Sequence, residues 1–201
     1  MSENAVVDFG AGTGTLAEIF RSEYGVTPIC VELAPSLRKI LENRKFSTLT
    51  SIDELKGNAT FIYTSNVLEH IENDEAAIQK LFQKLESEGR IAIYVPALPI
   101  IFSDLDTTVG HFRRYTKKEL VRKVEASGFQ ITKCTYVDSL GVLASLLIKV
   151  IGFKNNAGLG SEKSLLIYDR LVFPISKILD FLGFKFLIGK NLLLLASKPK
   201  N

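Results

Sequence analysis

The chain has 201 residues, 46% apolar and 23% charged, which excludes a disordered or low-complexity polypeptide and fits one globular domain with an ordinary core. Its net charge of +3 is unevenly spread: residues 139–201 hold nine Lys/Arg against three Asp/Glu and are rich in Leu, Ile and Phe. Two distant cysteines, Cys30 and Cys134, argue against a disulfide framework or a cysteine zinc site, and no metal site is expected.

The opening "MSENAVV" carries no basic or apolar leader run, so no secretory signal is expected and the cytoplasm is the expected compartment. "AVVDF" (5–9) then reads as a buried parallel strand running into glycines. Leu16, Ile19, Phe20 and Tyr24 recur at helical spacing, closed by Gly25. "PICV" (28–31) predicts a second strand, and Pro35 suits the first turn of a helix carrying Leu37, Ile40 and Leu41. A weak strand near Phe46–Leu49 precedes a strong one, "ATFIYT" (59–64). Ile78, Leu81, Phe82 and Leu85 mark one face of a helix ending near Gly89, and "RIAIYV" (90–95) is another buried strand stopped by Pro96.

Thr116 and Glu119 have capping-box spacing and open a helix through Val124, with Gly128 as its C-cap. "FQITKCTYV" (129–137) alternates like a sheet strand, and "NLLLLAS" (191–197) predicts the last one. Alternating strands and helices give an α/β fold, a doubly wound Rossmann-like sheet with helices on both faces. Residues 1–201 read as a single domain in which 139–189 form an apolar, basic helical cover or insertion before the last strand.

The loop after the first strand carries Asp8, Gly10, Gly12 and Gly14 as D-x-G-x-G-x-G. A dinucleotide fingerprint needs its third glycine at position 15, which is Thr, so a nicotinamide-dependent oxidoreductase is the weaker alternative. An acid two residues before the glycines repels phosphate and suits a ligand bearing an ammonium group. Glu32, ending the second strand, is placed to accept hydrogen bonds from both ribose hydroxyls. A ribose, a cationic amine and no phosphate together describe S-adenosylmethionine.

On these residues the sequence resembles the class I S-adenosylmethionine-dependent methyltransferases. "VVDFGAGTG" is similar to their first motif, "VELAP" to their ribose-binding strand end, and "FIYTSNVLEHI" (61–71) to the motif after the fourth strand in small-molecule members. The resemblance covers about residues 5–135. It implies a seven-stranded sheet with the last strand antiparallel. It also implies that Gly10, Ala11 and Gly12 line the methionyl moiety, Glu32 and Leu33 the ribose, Ser51 and Ile52 the adenine, and Asn66 and Val67 the underside of the cofactor. Two departures are a variable register around "TSIDEL", with Asp53 as a substitute acid near adenine, and the absence of the family's usual helix before the first strand. The second departure implies a weak cofactor grip or a shortened N-terminus.

Both histidines fall in loops at the ligand edge, His70 after the fourth strand and His111 after the fifth. Methyl transfer to oxygen or nitrogen often needs a base, and imidazole titrates near neutrality, so His111 and then His70 are the catalytic candidates. The same residues read equally as loop-ordering groups. "GHFRRYT" resembles a segment of relatives acting on sugar- or lipid-linked substrates. Arg113 and Arg114 either grip an anionic acceptor or form a solvated helix start, and Tyr115 either bonds substrate or packs under the helix. Asp104 and Asp106 read as solvated loop acids.

In the tail, "LGVLASLLIKVIGF" (140–153) is too short to span a bilayer, and Ile175, Ile178, Leu179 and Leu182 form an apolar stripe. Such helices cover the active site, join a second copy into a homo-oligomer, or rest peripherally on a membrane surface. The chain therefore reads as a methyltransferase for a small-molecule acceptor, anionic and sugar- or lipid-linked. A non-catalytic cofactor-binding or membrane-associated accessory domain is the alternative. Nucleic acid is not an expected partner, because the basic cluster at 113–123 has no aromatic stacking platform.

Overall fold

The first strand, β1 (Val6–Phe9), is central because its residues have apolar neighbours on both sides: Val7 pairs with Ile29 in β2 (Ile29–Val31) and with Ile62 in β4 (Ala59–Ser65). The computed structural model describes residues 5–151, 170 and 173–200. The helices α1 (Thr15–Tyr24) and α2 (Pro35–Asn43) flank β2, and β3 (Thr48–Leu49) follows. Beyond β4 come α3 (Asp74–Lys84), β5 (Leu85–Pro96), α4 (Asp104–Thr108), α5 (Lys117–Ala126) and β6 (Gln130–Val137). The last elements are α6 (Gly141–Ile151), α7 (Phe173–Phe181) and β7 (Asn191–Ser197).

The strands form one sheet in the order β3-β2-β1-β4-β5-β7-β6. β7 lies antiparallel between β5 and β6, and the other neighbouring pairs are parallel. The fold is the expected α/β sheet of seven strands with an antiparallel last strand. Alternate residues divide between two faces, as strand geometry requires. Val7, Ile62, Ile93 and Leu194 pack with Ile78, Leu81, Leu120 and Val124 of α3 and α5. On the other face Cys30 packs with Ala11, Ala17, Leu41 and Phe46. Strand order reverses between β1 and β4, so their carboxyl ends open a crevice where such sheets bind ligands.

Three elements depart from the sequence expectation. The third helix ends at Lys84, not near Gly89, because Leu85 is fully buried and pairs with Ala59 as the start of β5. Glu86 to Glu88 then bulge outward before the ladder resumes at Arg90, with Glu88 at φ 64°. A Cβ on Gly89 would lie 2.9 Å from the Glu86 carbonyl, so the bulge closes only on glycine. In α1 the buried residue is Ala17, whereas Leu16 and Ile19 are exposed and Phe20 stacks on Tyr63 at 4.5 Å. Finally, Ile175, Ile178 and Leu182 of the tail stripe are exposed, while Ser176 is fully buried and accepts a hydrogen bond from the Leu140 amide.

The predicted cap of α5 is present. Thr116 accepts from the Glu119 amide at 3.1 Å, and Gly128, at φ 101°, follows the cap residue Ser127. Within 139–189, where a helical cover or insertion is expected, the described helices are α6 and α7; residues 152–169 and 171–172 lie outside those described.

Candidate active site

The three glycines after β1 serve three purposes. Gly10 takes φ 80°, and a Cβ there would overlap both methyls of Val67. Gly14, at φ 81°, starts α1, and a Cβ there would meet Leu41 at 2.6 Å and Phe46 at 3.4 Å. Gly12, at φ 56°, has open space where its Cβ would stand. Gly12 therefore faces open space, while Gly10 and Gly14 keep room for the protein's own packing. Gly14 lies outside the cavity described next, and Ala11 packs beneath the loop with Leu41 and Phe46.

A cavity of ≈ 600 Å³ opens over Gly12 at the crevice. Gly10, Gly12, Glu32, Leu33, Ser51, Ile52, Asn66 and Val67, all candidates from the sequence, line it together with His70 and Lys80. Glu32 is held by two backbone donors, Gly12 at 2.8 Å and Ala34 at 2.9 Å. A carboxylate has about four acceptor positions, so two remain for a ligand's hydroxyls. Asp53, the substitute acid near the cavity, is engaged by Lys80 at 2.6 Å. Ser51 caps the following turn by accepting from the Asp53 amide.

Asp8 sits behind the loop, 2% exposed, and its Oδ2 has no hydrogen-bond partner among the described residues. Burial pushes its carboxyl up to about 7; the Glu32 charge adds to the rise and the Tyr63 hydroxyl offsets part of it. An unsatisfied buried carboxyl is costly unless a partner arrives.

A second cavity of ≈ 400 Å³ shares Asn66 with the first. Asn66 holds φ 54° while its amide donates to Tyr94 O at 2.9 Å, a backbone strain placed where the two cavities meet. Arg114, His111, Asp106, Asp138 and Lys190 are among the lining residues. Asp106 organises this side: it accepts from Arg114 Nε at 2.8 Å and lies 2.8 Å from His111 Nδ1. Its other oxygen accepts from the Ser103 amide at 2.9 Å and completes a capping box on α4. Burial opposes ionisation of Asp106, but the bonds from Arg114 and His111 outweigh it and hold the carboxyl below its usual range.

The two histidines meet edge to face with ring centroids 4.7 Å apart. The Phe112 amide donates to Glu69 O at 2.8 Å, and His70 Nδ1 lies 3.2 Å from Gly110 O, so the two loops are stitched together. Burial lowers the pKa of His111, with Asp106 pulling the other way. Glu69 is fully buried; its Oε1 lies 3.9 Å from His111 Nε2, and burial pushes its carboxyl up to about 7. Although the sequence indicated no metal site, Glu69, His70 and His111 bring potential ligand atoms within 4.8 Å of one another.

Two substrate candidates are corrected. Tyr115 is fully buried and donates its hydroxyl to Asp74 at 2.8 Å, under α5 rather than in a cavity. Arg113 pairs with Asp74 at 2.8 Å and bonds Glu72 O, outside both cavities. Arg114 alone of the three lines the second cavity. Asp106, expected to be solvated, is 1% exposed. Ser103 and Asp106 have capping-box spacing, the signal that would have identified it. Glu69 carried no such signal, since nothing local distinguishes a buried acid beside a histidine from an exposed one.

A family model described as a methyltransferase domain matches residues 2–133. No curated protein matches the sequence. Among solved structures, a chain of the Haloferax volcanii complex containing the Trm112 methyltransferase activator is 12% identical, with a TM-score of 0.66 over 98% of this chain and 83% of that one. A SAM-dependent methyltransferase from Archaeoglobus fulgidus is 19% identical, with a TM-score of 0.64 over 97% of this chain and 86% of that one. Phosphoethanolamine N-methyltransferase 2 of Haemonchus contortus, solved with S-adenosyl-L-methionine, is 16% identical, with a TM-score of 0.60 over 100% of this chain and 50% of that one. At these identities the likeness is one of fold.

Proposed function

The chain belongs to the methyltransferase-domain family, and on that premise we propose that it methylates a small anionic acceptor, sugar- or lipid-linked, using S-adenosylmethionine. The residues present fit that cofactor: open space over Gly12 and free acceptor positions on Glu32 match its backbone approach and ribose, and behind the loop Asp8 Oδ2 has no hydrogen-bond partner among the described residues. Bound there, it would supply an electrophilic sulfonium methyl group for an acceptor oxygen or nitrogen.

Each residue has a part in this reading. Gly10 to Gly12 offer backbone at close range, Glu32 and Leu33 hold the ribose, Ser51 and Ile52 flank the adenine, and Asn66 with Val67 form the floor. Asp8 balances the amine charge. In the second cavity Arg114 orients the acceptor's anion, and His111, fixed through Nδ1 by Asp106, takes the acceptor's proton on Nε2, with His70 beside it. The observation that carries the proposal is the shared wall at Asn66. It sets a nucleoside-sized cavity against a polar one, with both histidines at the seam.

The acceptor's class rests on a third, apolar cavity of ≈ 400 Å³, lined by Leu16, Phe20, Phe61 and Leu193, which shares Tyr94 and Phe173 with the polar one. An anionic head with an apolar tail suits the pair. Isothermal titration with S-adenosylhomocysteine, using NAD as the control, tests the cofactor. Binding of the first alone supports the proposal; binding of NAD alone, or of neither, overturns it.

A second reading concerns the tail. Ile175, Ile178, Phe181, Leu182, Phe186 and Leu187 are exposed along α7 and the turns after it, and no helix among the described residues is long and apolar enough to cross a membrane. We propose that this surface rests peripherally on anionic lipid. Co-sedimentation with anionic but not neutral vesicles supports it. Failure to pellet with either, or dimerisation through this surface, overturns it.

A further inference from the structure

The cluster at the seam of the two cavities has the makings of a cation site. Glu69 is fully buried, and neither of its carboxylate oxygens has a hydrogen-bond partner among the described residues. Such a group is expensive to bury and calls for an occupant. Its surroundings supply one only in part: His111 Nε2 stands 3.9 Å from Oε1, beyond hydrogen-bond reach. His70, exposed on the cavity side, completes three potential ligands within 4.8 Å.

The groups behind the histidines match the support that metal-binding imidazoles receive. A ligating histidine donates its other ring N–H to a carboxylate or backbone carbonyl, which fixes tautomer and orientation. Here Asp106 Oδ1 lies 2.8 Å from His111 Nδ1, and Gly110 O lies 3.2 Å from His70 Nδ1. With His111 Nδ1 so engaged, its Nε2 lone pair is left for a metal, and His70 offers a ring nitrogen beside it. Two imidazoles and one carboxylate, open on the cavity side, describe a three-ligand centre with room for water or substrate.

We infer that Glu69, His70 and His111 bind one divalent transition-metal ion, of the class of Zn²⁺ or Co²⁺, at the boundary between the cofactor and acceptor cavities. Its chemical consequence rests on the methyl-transfer reading above. A cation there would take an acceptor hydroxyl oxygen as a further ligand and favour its deprotonated form, the proton passing to solvent. The histidines then act as ligands, and His111 serves as the base only when the metal is absent.

Metal-stripped protein titrated with Co²⁺ tests this directly, since the visible absorption of bound Co²⁺ reports ligand number without any turnover. The expected result is one ion per chain, displaced by Zn²⁺, with binding at least tenfold weaker in His70→Ala and abolished in Glu69→Gln. His70 is exposed, so its variant keeps the fold even if the buried Glu69 variant does not, and circular dichroism checks both. Failure of the wild-type chain to bind Co²⁺ stoichiometrically, or equal binding by a folded His70→Ala, overturns the inference. S-adenosylhomocysteine titrated into the same metal-stripped sample separates the two ideas. Cofactor binding without Co²⁺ binding removes the metal alone, whereas loss of cofactor binding removes the methyl-transfer reading.

Discussion

Val67 occupies the volume that a side chain on Gly10 would need, so the loop after β1 and the loop after β4 are fitted to each other through a missing Cβ. Gly12, two residues on, meets no such neighbour. The pair makes a prediction that either residue alone would not. Gly10→Ala combines overpacking with a left-handed backbone and is expected to destabilise the fold by about 2–4 kcal/mol. Gly12→Ala meets only the backbone cost, about 1–2 kcal/mol, while losing affinity for S-adenosylhomocysteine. Thermal melts and titrations of both variants check the contrast; equal destabilisation would refute the division of roles.

Glu32 joins the glycine loop to the start of α2 and still has acceptor positions to spare. Glu32→Ala is expected to weaken S-adenosylhomocysteine binding by about 1–3 kcal/mol, the worth of charge-assisted hydrogen bonds. Glu32→Gln should recover part of that loss, because one of its two terminal atoms still accepts. Calorimetry on the three proteins decides it, and an unchanged affinity in Glu32→Ala would remove Glu32 from the site.

The role proposed for Asp8 predicts that binding depends on pH. Its folded carboxyl, raised to about 7, lies above the ordinary carboxyl value, so the folded state holds the proton more tightly than the unfolded chain. Its contribution to stability is therefore fully present below about pH 4 and is lost as pH rises through 7. A ligand carrying an ammonium group favours the ionised form. Affinity for S-adenosylhomocysteine should rise between pH 6 and pH 8, by roughly tenfold at most per unit. Burial pushes the Glu69 carboxyl up to about 7 as well, so Asp8→Asn is the control, and it should flatten the profile. A profile equally steep in Asp8→Asn would assign the effect elsewhere.

Asp74, 2% exposed at the start of α3, collects Lys123 at 2.7 Å, Tyr115 at 2.8 Å and Arg113 at 2.8 Å. Burial opposes its ionisation, yet these partners hold its pKa below the usual value. Lys123→Met leaves a buried carboxylate short of its nearest cation and should cost about 3 kcal/mol, within the range for broken buried pairs. Tyr115→Phe removes one hydrogen bond to a charged acceptor and should cost about 1.5–3 kcal/mol. Denaturant unfolding checks both. Methyl transfer by the surviving folded fraction should be unchanged in Tyr115→Phe, since its hydroxyl reaches neither cavity.

Much of the architecture was legible because the strands are short apolar runs broken by glycine or proline. "VVDF" and "FIYT" announced β1 and β4, and the acid at Glu32 announced the cavity's far end. The α3–β5 boundary was hidden because Leu85 suits a helical stripe and a buried strand equally well. Tyr115 and Arg113 were hidden for a different reason. Both sit beside Arg114 in one loop, and only the tertiary position of Asp74, 41 residues before Tyr115, draws them away from the cavity. Glu69 was the least legible, because its meaning lies in the partners it lacks.

The position of β7 also orders events during synthesis. Residues 191–197 follow every other strand in the sequence, yet they lie between β5 and β6 in the sheet. Until that segment leaves the ribosome, β6 has no neighbour to pair with, and the edge of β5 stays open as a template for other chains. The half of the domain that carries the glycine loop can gather early, while the second cavity waits for Asn191 and Lys190 to arrive. Nascent chains halted before residue 191 should thus be the form most dependent on chaperones.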